Sequence, residues 1–176
     1  LAVEPFRARV LGAVRELEAV AVEGRYDTNQ GKRVAGAIVA LDMVRERPLV
    51  GTGVGATMGR FRELLNERHP ELRPFVSWFP HLHNQYLQTA AETGLIGLAT
   101  LFGMMVVLVI GPHPSSHARH LGLLLASSYL LGFLGDPFLH KQLPLVLFAI
   151  VAGLATASPC CLKGITGRSA AGGTSR

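Results

Sequence analysis

The sequence predicts an all-α integral membrane protein fragment: a helical extracytoplasmic segment followed by about three transmembrane helices. Three observations carry that prediction. Residues 1–93 hold 12 Lys/Arg and 11 Asp/Glu, whereas residues 94–176 hold only 5 and 1, so the charge is concentrated in the first half. The second half carries long apolar runs instead. Alternating apolar and polar positions, the mark of a half-buried strand, are short and broken by Gly or Pro.

The elements follow in order. Residues 4–23 place Phe6, Val10, Val14, Leu17 and Ala21 at three- and four-residue steps, which predicts an amphipathic helix with those residues on its buried face. The polar break GRYDTNQGK leads to a second helix from about Lys32 to Arg47, stopped by Pro48. GTGVGATMG at 51–59 reads as a tight turn feeding a third helix near 57–68. It is not a dinucleotide fingerprint, because the spacing is not G-x-G-x-x-G and no strand precedes it. The stretch 70–82 is punctuated by Pro70, Pro74 and Pro80 and carries Phe75, Trp78 and Phe79. Those aromatics fit either an interfacial belt or the packing of the soluble segment.

From Asn84 the chain reads as one long helix, polar through Gln85, Gln88 and Glu92 and apolar from Leu95 to Ile110. Two more apolar runs, 121–135 and 143–157, are each a little short of the ~20 residues a bilayer asks for, so flanking residues have to extend them. The resulting division is 1–93 outside the cytoplasm, 94–158 as three spans, and 159–176 as a disordered cytoplasmic tail. Arg119, Lys163, Arg168 and Arg176 then fall inside, in keeping with the positive-inside bias. The net charge of +5 surrounds apolar runs and a Gly/Ser tail, a pattern of membrane topology and not of a nucleic-acid footprint. Adjacent Cys160 and Cys161 report neither a disulfide framework nor a metal site. With no basic leader and cleavage site after Leu1, an upstream segment is expected to carry residues 1–93 across the membrane.

Two features carry chemistry. His81-Leu82-His83-Asn84-Gln85-Tyr86-Leu87 stands directly ahead of the first span, and imidazole is the side chain most easily poised to take a proton near neutral pH. A surface or capping histidine fits the same spacing. No third ligand of suitable spacing accompanies the H-x-H pair, so no metal is expected. The second feature is Lys32-Arg33 at a helix start. Cations there oppose the helix dipole unless an anion binds, and free amides with an Arg fork make a phosphate site; a solvated pair beside Asp27 is the alternative.

In order along the chain, Arg33, then Pro48-Leu49-Val50-Gly51-Thr52-Gly53, then His83-Asn84-Gln85-Tyr86-Leu87, then Gly94-Leu95-Ile96-Gly97-Leu98 resemble the C-terminal region of the O-antigen ligase and polysaccharide polymerase family, over roughly residues 25–160. Members often carry a Trp one turn after the Arg, where this chain has Gly36 and Ala37, and carry further spans upstream. The resemblance implies a membrane glycosyltransferase of the bacterial inner membrane without cofactor or metal. It would transfer a glycan from an undecaprenyl diphosphate carrier to a lipid A-core sugar hydroxyl, or, for a polymerase, to another carrier-linked glycan. His83 would be the general base and Arg33, with Lys32, would bind the diphosphate. Asn84 would orient the imidazole or cap the helix, and His81, Arg60 and Arg62 are secondary candidates. A component of a bicarbonate-type transporter is the rival of another class, and the scarcity of ionisable residues inside the spans, Asp136 alone lying near an edge, counts against it.

Overall fold

The computed structural model describes residues 3–156, all-helical in its regular structure and without a strand among them. The expected tail with Cys160 and Cys161 lies outside the described residues. The helices are α1 (Val3–Glu23), α2 (Asn29–Glu46), α3 (Thr57–Glu67), the single-turn α4 (Arg73–Val76), α5 (Gln85–Ile110), α6 (Ser116–Gly132) and α7 (Gln142–Thr156), with short 3₁₀ turns at Pro70–Leu72 and Phe138–His140. Among the described residues they form two compact units, one of residues 3–98 plus Gly135–Pro137, the other of Ala99–Leu134 with residues 138–156.

The first unit is built around α2. Its residues Ala35, Val39, Ala40 and Met43 are fully buried at helical spacing, against Phe61, Leu64 and Leu65 of α3 and Leu72, Val76, Phe79, Leu82 and Ala91. Each large side chain so buried contributes ~1.5–3 kcal/mol. α2 starts at Asn29, three residues before the expected Lys32, because Thr28 caps it, its hydroxyl accepting from the Gly31 amide at 3.0 Å. α1 corrects its expectation too. Val10, Val14 and Leu17 are 45–54% exposed, and the partly buried positions are Gly12, Ala13, Glu16, Ala19 and Val20. Packed chiefly on α2, the helix covers one narrow side, and that side is not its most apolar one.

The expected single long helix after Asn84 is interrupted. Gly94 stands at φ 67°, ψ −159°, a conformation essentially confined to glycine. The turn Pro48–Gly53 lies across the break and takes up the backbone groups it frees: Thr52 N–H donates to Ala91 O (2.8 Å), Gly53 N–H to Glu92 O (2.9 Å), Leu95 N–H to Pro48 O (2.8 Å) and Ile96 N–H to Leu49 O (3.3 Å). The approach is so close that a Cβ on Gly51 would meet Glu92 C at 2.4 Å, and one on Gly94 would meet Leu49 C at 2.3 Å.

In the second unit, Tyr129 of α6 donates its hydroxyl to Pro144 O and packs its ring 5.0 Å from Phe148 of α7. A Cβ on Gly122 would meet Leu108 O at 2.5 Å, so a small residue lets α6 approach α5 there, as in membrane helix pairs. Leu124, Leu131, Leu143 and Ile150 point outward at 57–84% exposure. Among the described residues one helix, α5, is long and apolar enough to cross a membrane; α6 and α7, at 17 and 15 residues, are shorter, so the expectation of three spans is met in full only for the first.

Candidate functional site

The first unit brings Lys32 and Arg33 of α2 to one open cleft of about 350 Å³ with His83, the remaining walls being Asn29, Gln30, Trp78 and Phe79. Two residues fifty positions apart in sequence thus share a surface, and the fold explains how. Thr28 sets the start of α2, which places Lys32 and Arg33 beyond its first turn. Phe79 is buried against α2 at Gly36, where a Cβ would meet the ring at 2.9 Å, and the same ring meets the His83 imidazole edge-on at 4.7 Å. The missing side chain at Gly36 is the space that admits Phe79.

The helix start itself is not the expected anion site. The Gln30 amide donates to Glu16 Oε2 at 2.9 Å and the Gly31 amide to Thr28, so those amides are already engaged. What remains for an anion is side-chain charge. Arg33 is exposed and also donates from Nη1 to Gly135 O at 2.7 Å, so its guanidinium is held at the cleft by the loop 135–137.

The H-x-H turn is itself tied down. Leu82 N–H donates to Gln88 Oε1 (2.9 Å), and Gln88 Nε2 donates to Glu92 Oε1 (2.7 Å), both side chains being buried. Asn84 caps α5, its Oδ1 accepting from Leu87 N–H at 3.0 Å. His83 is the one described non-glycine residue with positive φ, 52°, a conformation of some cost that clusters at functional sites. That geometry brings the two imidazoles edge to face at 4.3 Å, with the His83 amide donating to His81 Nδ1 at 3.3 Å. With Nδ1 of His81 accepting, its Nε2 carries the proton in the neutral ring, and Nε2 lies 3.9 Å from Asp136 Oδ1.

Asp136 is the residue that sequence reasoning missed. The sequence placed it at a membrane edge; the fold returns the segment 135–137 to the first unit, beside Arg33 and His81. The statement that no third ligand accompanies the H-x-H pair is corrected in the same way. His81, His83 and Asp136 each offer a donor atom, all within 4.8 Å of one another, a set that could hold a divalent cation. Spacing along the chain carried no sign of it, because Asp136 comes from another connection.

Arg60 stands elsewhere. It forms a two-pronged ion pair with Glu46 (3.0 and 2.9 Å) and a further one with Glu63 (2.9 Å), and lines a separate depression with Thr52 and Gly59. Those carboxylates push the Arg60 pKa up, and Arg60 in turn holds Glu46 below the ordinary carboxylate range. Arg62 is exposed on the same helix.

Residues 6–102, more than half of the chain, match the family described as O-antigen ligase. The chain belongs to the O-antigen ligase family. Its members are membrane proteins, and the family's function is of the ligase or polymerase type, with a lipid-linked glycan and an acceptor as partners. The match covers every wall of the cleft, and Asp136, beside His81, lies outside it. A comparison with curated proteins gives no match for this O-antigen ligase family member.

Proposed function

We propose that this protein transfers a glycan from an undecaprenyl diphosphate carrier to a sugar hydroxyl of lipid A-core at the periplasmic face of the inner membrane. The observation that carries the reading is the cleft that joins Lys32 and Arg33 to His83. His83 takes the proton from the acceptor hydroxyl. The acceptor oxygen forms a bond to the anomeric carbon as the bond from that carbon to the diphosphate oxygen breaks, and the electron pair leaves with the carrier diphosphate. Arg33, with Lys32, binds that diphosphate and offsets the charge growing on it, a role suited to a preorganised guanidinium. His81 and Asp136 position the His83 ring. With two cations supplying the charge, the step needs no metal.

Topology is part of the proposal. Residues 1–93 are periplasmic, 94–158 hold three transmembrane helices, and 159–176 are cytoplasmic. The outward apolar side chains of α6 and α7 support three spans, since such faces are stable where the solvent is itself apolar. Asp136 sits with His81 in the first unit, and Glu92 precedes the span that begins at residue 94, so among the described residues neither carboxylate gives the transporter reading an intramembrane group.

The test is transfer by the full-length protein carrying His83→Ala or Arg33→Ala. Loss of a proton acceptor typically costs a factor of about 10²–10⁴, and loss of a leaving-group stabiliser about 10²–10³. Arg33→Lys is expected to be poorly tolerated, because Lys lacks the planar fork. Near-normal transfer by His83→Ala and Arg33→Lys, at normal membrane abundance, would put the chemistry elsewhere.

A further inference from the structure

Between Pro70 and Asn84 the large apolar side chains are buried or half-buried with one exception. Leu72, Val76, Phe79 and Leu82 are at most 2% exposed, whereas Trp78 is 61% exposed. This indole is nevertheless held in place. It meets Phe79 edge-on at a centroid distance of 5.0 Å, and Phe79 is fixed by its burial and by its contact with His83 at 4.7 Å. A single ring therefore sets the position of Trp78 relative to the imidazole. The indole forms one wall of the His83 cleft, and opposite chemistry lines the rest: the amide side chains of Asn29 and Gln30 and the cations Lys32 and Arg33.

We propose that Trp78 is the platform on which the acceptor sugar stacks, with Asn29 and Gln30 bonding its hydroxyl edge. The proposal rests on the transferase reading given above and adds the acceptor subsite to it. A pyranose ring presents C–H groups on its face and hydroxyls around its rim. An aromatic face matches the first, and carboxamides, with two donors and two acceptor lone pairs each, match the second. A cleft of about 350 Å³ is at the small end of ligand sites, which span ~300–1,000 Å³, and suits a single sugar unit whose hydroxyl then faces His83. A lipid contact would set apolar neighbours on every side of the indole, whereas beyond Phe79 the cleft presents it with amides and charges.

The experiment uses the full-length protein in detergent, with soluble, delipidated lipopolysaccharide core oligosaccharide as the probe. Trp78 is the one tryptophan of this chain, so the difference in emission between wild type and Trp78→Phe isolates it. The oligosaccharide is expected to change that difference saturably. In transfer assays Trp78→Ala raises the acceptor KM about tenfold, equivalent to ~1.4 kcal/mol, with kcat within about twofold, and Trp78→Tyr restores it. Because the side chain is exposed, the Ala variant keeps its fold, which its unchanged abundance verifies. An unchanged acceptor KM in Trp78→Ala overturns the proposal. So does an emission difference that responds to phosphatidylglycerol vesicles and not to the oligosaccharide, which would make Trp78 a lipid contact. Binding is read without turnover, so the two readings separate. Loss of transfer in His83→Ala with no oligosaccharide-dependent emission removes the platform alone; emission that responds to oligosaccharide, with transfer intact in His83→Ala, removes the base alone.

Discussion

Replacing Gly94 by Ala tests the structural frame on which the cleft depends. The residue sits at φ 67°, ψ −159°, where an L side chain is strained, and its added Cβ would lie 2.3 Å from both C and O of Leu49 and 2.5 Å from Val50 N. Backbone atoms cannot swing aside as a side-chain tip does. Either Gly94 leaves its conformation or the Pro48–Gly53 turn retreats, losing at least the Leu95–Pro48 and Ile96–Leu49 hydrogen bonds. The conformational term is ~1–3 kcal/mol, and two net hydrogen bonds at ~0.5–1.5 kcal/mol each bring the total to roughly 2–6 kcal/mol. Against a typical stability of ~5–15 kcal/mol, that is a large fraction, and it corresponds to a fall in unfolding midpoint of roughly 5–20 °C. Helical circular dichroism of the detergent-solubilised full-length protein, followed on heating, measures it. Gly59→Ala serves as the control, because a Cβ there meets nothing within 4 Å and the site is helical; it should be neutral or stabilising by up to ~1 kcal/mol. If Gly94→Ala melts with wild type, the clasp between the turn and the broken helix does not hold the unit together.

Other outcomes are expected. Asp136→Asn should lower transfer about tenfold by loosening the histidine pair, on the scale of a weakened charged contact of ~1.5 kcal/mol; unaltered rates would remove Asp136 from the site. Chelation should leave transfer unchanged, whereas loss restored by a divalent ion would make His81, His83 and Asp136 a metal centre. His69 Nε2 lies 2.9 Å from Asp42 Oδ2, and this hydrogen bond, with Arg45, holds the Asp42 carboxyl below its ordinary 3.8, as Arg60 chiefly holds Glu46 below 4.5. Folded-state values below unfolded ones mean stabilisation that is present above those ordinary values and lost as pH falls through the lowered ones, so the melting temperature should drop below about pH 4, and less steeply in Asp42→Asn. For topology, a cysteine introduced by Glu67→Cys in a variant without Cys160 and Cys161 should react with an impermeant thiol reagent in cells with a permeabilised outer membrane, and one introduced by Gly172→Cys should not; the reverse pattern inverts the proposed orientation.

Much of this protein is written in local pattern. The asymmetry of charge and apolar content separated the charged helical half from the apolar one, Pro48 ended α2, and the ordered motifs around Arg33, Gly51, His83 and Gly94 pointed to the O-antigen ligase family. Helical period and proline chemistry act over a few residues, so a sequence displays them directly. What the tertiary structure decided is of longer range. The side of α1 that packs, the glycine break in α5, and the engagement of the α2 amides by Glu16 and Thr28 depend on which backbone lies alongside. The cleft itself depends on it most: Phe79 enters over Gly36 to set His83 beside Arg33, and the 135–137 segment returns Asp136 to His81 across more than fifty residues of chain. Side chains meet there because buried packing and backbone hydrogen bonds fix the elements that carry them, and no local periodicity records a neighbour that distant.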